Sequence, residues 1–145
     1  MVTASLNDIR RIIEARLSDE FRRVPQFPIV FHNVNFAPAG AAPYVQCLTS
    51  FGNSEYLTIG GTPEGNGFDN RIVGLLTVNV YTPSGDGPGL NFDIGERIRN
   101  LYNRAIVSGV YFDAPVGPEV LVNPNSADGF FQTQVRVTFE FIEET

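Results

Sequence analysis

Arg71-Ile-Val-Gly-Leu-Leu-Thr-Val-Asn-Val-Tyr-Thr82, then Pro83-Ser-Gly-Asp-Gly-Pro-Gly89, then Asn91-Phe-Asp-Ile-Gly-Glu-Arg-Ile-Arg-Asn-Leu-Tyr-Asn-Arg104, is the stretch that decides the fold. The first segment reads as one long strand. Side chains alternate along a strand, so Leu76, Val78 and Val80 share one face while Leu75, Thr77, Asn79 and Tyr81 share the other. The last segment reads as a helix, because Ile94, Ile98, Leu101, Tyr102 and Ala105 recur at three- and four-residue steps and make one apolar stripe. A strand with an apolar face joined to a helix with an apolar stripe predicts a sheet with a helix packed across it.

Outward from that unit, residues 5–20 read as a second helix. Ser5 stands at the cap, Asp8 in the first turn, and Leu6, Ile9, Ile13 and Leu17 form a stripe. Pro25 and Pro28 end it. Strands are expected at 29–36, at 44–51 with a continuation over 54–59 after a bend at Gly52-Asn53, and in short apolar runs within 110–123. The final segment, 130–142, alternates most regularly. Phe131, Thr133, Val135, Val137, Phe139 and Phe141 point one way, and Gln132, Gln134, Arg136, Thr138 and Glu140 the other. Gly60–Asn70, with its four glycines and one proline, reads as a long polar loop. The element order predicts an α+β fold: a mixed, mostly antiparallel β-sheet with two α-helices packed on one face, in a single domain over residues 1–145. The expected core is Ile9, Ile13, Leu17, Val45, Leu76, Val78, Val80, Ile94, Ile98, Leu101, Val135, Val137 and Phe139.

Composition narrows the function. The chain has 145 residues and one cysteine, which leaves no partner for an intrachain disulfide. Ten basic residues against sixteen acidic ones give a net charge of -6, so most of the surface is expected to repel nucleic acid. Every basic residue is Arg, a side chain suited to interfaces and planar partners. No apolar run is long enough to cross a bilayer, and Met1-Val-Thr-Ala-Ser5 does not read as a secretory signal.

Catalytic constellations are looked for and not found. His32, the lone histidine, reads as a hydrogen-bonded strand residue, and Cys47 as a buried small apolar residue. No Gly-x-Ser-x-Gly elbow occurs, and Gly60–Gly67 lacks the Lys-Ser/Thr ending of a phosphate loop. Gly85-x-Gly87-x-Gly89 lacks dinucleotide spacing and reads as a flexible strand-to-helix connection. No enzyme, cofactor or metal site is expected.

Three pieces of sequence carry a resemblance: Phe31-His-Asn-Val-Asn-Phe-Ala-Pro38 with Pro43-Tyr-Val45; Gly74-x-x-x-Val78-x-Val80-Tyr81-x-Pro83-x-Gly85-x-Gly87; and an N-terminal amphipathic helix paired with one directly after that Gly-rich loop. Together they resemble the tail terminator, or tail-completion, family of tailed bacteriophages. The likeness is to the small terminator-like proteins long filed as a domain of unknown function. The resemblance implies a virion protein, assembled in the host cytoplasm. It implies a ring, expected to be hexameric, that caps the head-proximal end of the tail tube and stops tube polymerisation. Its implied partners are further copies of itself, the tube protein, the neck or head–tail connector and, as a further candidate, the tail sheath. DNA would pass without specific binding, and no membrane is involved. The alternatives are another neck or tail-tube component, or a monomeric domain binding a small ligand.

Candidate contacts follow from charge. Arg10, Arg11, Arg16, Arg22 and Arg23 make a basic set at the first helix, and Asp86, Asp93 and Glu96 an acidic set at the second. Opposite sets suit a head-to-tail ring contact. The polar loop, with Gly60, Gly61, Glu64, Asn66, Asp69 and Asn70, is the candidate contact to tube or neck.

Overall fold

A computed structural model describes residues 5–34, 42–56, 69–85, 87–121 and 130–144. Its elements run α1 (Leu6–Phe21), β1 (Ile29–Phe31), β2 (Tyr44–Tyr56), β3 (Asp69–Pro83), α2 (Gly89–Tyr102), β4 (Ile106–Val107), β5 (Val110–Phe112), β6 (Val116–Leu121) and β7 (Phe130–Glu144). α1 begins with a reciprocal cap. The Asp8 amide donates to Ser5 Oγ at 3.1 Å, and the Ser5 amide donates to the Asp8 carboxylate at 3.2 Å. This satisfies amides that the first helical turn leaves without carbonyl partners. Ile9, Ile13, Leu17 and Phe21, one turn apart, are the buried side of the helix.

The strands form one seven-stranded sheet in the order β1-β2-β3-β7-β5-β4, and β6 also pairs with β7. β1 and β2 are parallel, and the other pairs are antiparallel. The sheet is therefore mixed and mostly antiparallel, as expected. β3 and β7 pair without interruption from Asp69↔Glu144 to Pro83↔Phe130. That register sets Leu76 beside Val137, Val78 beside Val135 and Val80 beside Thr133. Val45 and Cys47 of β2 join the same face opposite Val80 and Val78. Both helices bury their stripes here, in one cluster that runs from Ile9 of α1 through Ile94 and Ile98 of α2 to Phe139 and Phe141 of β7. Two glycines permit close approach. Phe139 packs over Gly74, and Pro118 of β6 packs over Gly95 of α2.

Twelve of the thirteen expected core residues are buried. Leu101 is only partly covered, and the adjacent Tyr102 takes the enclosed position. Its hydroxyl donates to the Ile13 carbonyl at 2.8 Å, which lets a polar ring tip sit inside the core.

Several boundaries differ from the sequence expectation. The first strand ends at Phe31, because Asn33 adopts a left-handed φ of 60° and the chain turns with the Val34 amide on the Phe31 carbonyl. His32 is thus an exposed turn residue, not a strand residue. The expected bend at Gly52-Asn53 is a register shift within one strand, between Phe51 and Ser54. Asp69 and Asn70 belong to β3, paired with Glu144 and Glu143, and not to the loop. The loop positions Gly60, Gly61, Glu64 and Asn66 lie outside the described residues. The second helix ends at Tyr102 instead of Arg104, since Asn103 turns extended and Arg104 takes φ 51°. The chain then makes a small hairpin, β4–β5, that the helical stripe through Ala105 had concealed.

Candidate functional site

The basic set is distributed along and just beyond α1, and each member meets a partner in its own subunit. Arg10 pairs with Glu14 and also donates to Asn7. Arg11 stands 4.0 Å from Asp8, Arg22 3.2 Å from Asp19, and Arg23 3.7 Å from Glu20. Arg16 does something different. Its Nε and Nη2 donate to the Leu101 carbonyl at 2.9 and 2.7 Å, so α1 holds a carbonyl that the end of α2 leaves without a helical partner. A reciprocal tie runs from α2. Arg97 donates to the Glu20 carboxylate at 3.3 Å, to the Glu20 carbonyl at 3.0 Å and to the Pro25 carbonyl at 2.8 Å. Its guanidinium also lies 4.5 Å from the centre of the Phe21 ring. Sequence spacing singled out Arg16 as a surface charge, and the 85-residue separation from Leu101 hid its role.

Asp93 and Glu96 are exposed on α2, and their carboxylates make no ion pair or hydrogen bond among the described residues. Asp86 lies outside the described residues. The glycines around it show why the connection needs them: Gly85 and Gly87 have φ values of 93° and 80°. Asn91, at the start of α2, is fully enclosed. Its Nδ2 lies 3.1 Å from the Val80 carbonyl, Thr82 Oγ1 and the Phe131 carbonyl, while Thr133 Oγ1 donates to its Oδ1. One amide side chain therefore fixes the helix start to β3 and β7. No sequence pattern announced this residue, because its partners are 9 to 42 positions away.

Beside this clamp, an apolar groove of about 490 Å³ opens between the strand-to-helix connection and β6. Pro88, Phe92, Val120 and Phe131 are among its walls. Phe92 and Phe131 meet edge to face with centroids 6.4 Å apart. At the other end of α2, Ile106 and Tyr111 are register partners on the β4–β5 hairpin, 69% and 46% exposed.

The sheet face away from the helices carries a polar row. Gln134 donates to Asn79 at 3.0 Å, and Asn79 donates to Gln46 at 3.0 Å, which links β7, β3 and β2 side by side. Tyr44 and Tyr81 stack beside this row, with centroids 4.6 Å apart. Arg71–Glu140 and Arg136–Glu119 pairs, each at 3.0 Å, lie on the same face.

Among the described residues, no group of three or more His, Cys, Asp and Glu side chains is arranged to hold a metal. Cys47 is buried as expected, and burial, with the Glu14 charge as a lesser cause, pushes its thiol up to about 12. Such a thiol is a packing group and not a nucleophile. No helix among the described residues is long and apolar enough to cross a membrane.

Comparison with known proteins adds one family and one fold. The sequence profile of a family described as phage tail terminator protein matches residues 8–109, from α1 through the β4–β5 turn. A solved protein structure superposes on this chain with a TM-score of 0.61 at 20% sequence identity, covering 94% of this chain and 95% of its own. At that identity the likeness is one of fold. A search of curated proteins gives no match.

Proposed function

The chain belongs to the phage tail terminator family, a structural component of the phage tail and hence of the virion, and from that premise we propose that it acts as a ring-forming cap. In this reading, copies close head to tail into a ring, expected to be hexameric, on the head-proximal end of the tail tube. The ring stops addition of further tube subunits and offers its far side to the neck or head–tail connector. The profile match, which takes in both helices and the strands between them, carries the proposal.

Physical features support it. A sheet whose central strands run 13 to 15 residues, with α2 clamped to it by Asn91, is a rigid body suited to repeated contacts. The uncovered face bears neutral amides and internally paired charges, and the chain is acidic overall. A passing DNA duplex would find no basic track to hold it. The reading assigns no catalytic role. The acidic pair Asp93 and Glu96 is proposed to lie at the ring contact. The arginines of α1 could join it only by leaving their present partners. The 60–66 segment, with Gly60, Gly61, Glu64 and Asn66, is proposed to meet tube or neck.

The test is mass measurement by light scattering and electron microscopy of the purified chain, alone and with its tube protein. Rings of defined subunit number, and tubes that stop lengthening when the protein is added, are the expected results. A monomer that leaves tube growth unchanged in every condition overturns the cap.

A further inference from the structure

The charges of the subunit are not evenly partnered. Nine of the ten arginines give their guanidinium groups to a carboxylate or a backbone carbonyl of the same subunit. Arg104 is exposed, and among the described residues its side chain has no hydrogen-bonding or ionic partner. On the acidic side, Asp93 and Glu96 stand equally unmatched on α2.

These groups cannot meet within one subunit. Arg104 follows the C-terminal end of α2, whereas Asp93 and Glu96 lie about two to three turns before it. At 1.5 Å per residue they are separated by about 12 to 16 Å along the helix direction. Each group also sits beside apolar surface left uncovered. Glu96 is one turn from Phe92, whose ring lines the groove with Val120 and Phe131. Arg104 leads into the hairpin that exposes Ile106 and Tyr111. The two ends of α2 are thus complementary in both properties: groove and carboxylates at one end, projecting apolar side chains and a guanidinium at the other.

We infer that the occupant of the Phe92–Val120–Phe131 groove is a second copy of this chain. The copy inserts the Ile106/Tyr111 hairpin and brings its Arg104 to Asp93 and Glu96. The contact is heterologous: each subunit offers one end of each kind, and the series closes into the ring of the reading above when the rotation per contact completes a full turn. Apolar burial supplies the strength of the contact, and the charges set its register. The inference rests on the ring reading above and assigns its contact to α2 and the β4–β5 hairpin, not to the arginines of α1.

The test is a charge exchange read by light scattering at low ionic strength, with melting curves as the check on folding. Arg104→Glu alone, and Asp93→Arg with Glu96→Arg, should each raise the dissociation constant of a junction about tenfold. The triple variant carrying all three changes restores opposite charges at every junction and should assemble like the wild type. Ile106→Asp, at an exposed position, should weaken assembly without changing the melting curve. If the wild type forms rings and the variants assemble equally well, the surface assignment is wrong and the ring reading stands. The same holds if the triple variant is folded but fails to assemble. If the wild type forms no ring alone or with tube protein, both fall together.

Discussion

The ring of Phe139 on β7 lies over Gly74, its register partner on β3, so closely that a Cβ built on Gly74 would stand 2.2 Å from Phe139 Cζ and 2.8 Å from the Ser50 carbonyl oxygen. Phe139 is fully enclosed and also touches Phe51 and Phe112 edge-on or tilted, so the ring has little room to yield. Gly74→Ala should therefore overpack the site and lower stability by about 1–3 kcal/mol. Adding Phe139→Leu should recover part of that loss, and urea midpoints of the single and double variants measure the recovery. Equal losses that simply add would show that the two residues do not share the space.

Asn91 makes the second prediction. Asn91→Ala strands Thr133 Oγ1 and removes the donor facing two carbonyls, a cost of about 1–3 kcal/mol. Asn91→Asp should be worse at neutral pH, because a buried carboxylate would face the Val80 and Phe131 carbonyl oxygens. Burial among acceptors raises the pKa of such a carboxyl in the folded state. Its penalty is thus absent at pH below the unfolded carboxylate value and grows as pH rises. Denaturation of the two variants at pH 3.5 and pH 7 should show the aspartate variant losing more at the higher pH. An identical deficit at both values would rule out the clamp as described.

Arg16 separates fold from assembly. Its two hydrogen bonds to the Leu101 carbonyl predict that Arg16→Ala lowers stability by about 1–3 kcal/mol, the range for bonds to a charged donor. The same change should leave the oligomer mass unaltered wherever the subunit is folded. A ring that dissociates with no fall in melting temperature would place Arg16 at the subunit contact instead.

Cys47 gives a chemical and a pH readout. A thiol moved from 9.0 to about 12 is ionised to about one part in ten thousand at pH 8, so the native protein should resist alkylation until it unfolds. The folded state favours the neutral thiol, so its contribution to stability is complete below pH 9 and is lost as pH rises toward 12, by at most about 1.4 kcal/mol per pH unit. The Tyr102 phenol, pushed well above its ordinary value chiefly by burial, acts in the same direction. Cys47→Ala should flatten the decline in urea midpoint between pH 9 and 12. A rapid native-state reaction at pH 8 would contradict the burial.

The glycine-rich segment around residues 60–67 yields a fifth test. Four glycines and no apolar anchor between Gly60 and Gly67 make ordering it entropically costly unless a partner contributes contacts. Limited proteolysis should cut there in the isolated protein and more slowly in assembled tails. Equal rates would remove the segment from the tube or neck contact.

Much of the architecture could be read from periodicity. β3 and β7 alternate strictly, α1 and α2 carry stripes, and each pattern reports which side of its own element faces the core. Periodicity does not report what lies across from a residue. Gly74, Asn91 and Arg16 each matter through a partner brought near only by the fold, and the sequence around each does not name that partner. The β4–β5 hairpin was hidden for another reason. Ala105 fits the helical spacing of Ile98, Leu101 and Tyr102, and only the left-handed turn at Arg104 breaks it. The charge sets were visible as composition, but their pairing depends on distances that composition does not contain.

The place of β7 in the sheet bears on how the protein is made. It lies between β3 on one side and β5 and β6 on the other, yet it is the last of these elements to be synthesised. While the ribosome is still translating toward Phe130, β3, β5 and β6 exist without the strand that joins them. Each then presents unpaired backbone groups to its surroundings. The sheet closes only when that strand threads in, by contacts that reach back across half the chain, and such non-local pairing forms more slowly than local contacts do. Any surface that depends on the finished sheet comes into being only when β7 takes its place.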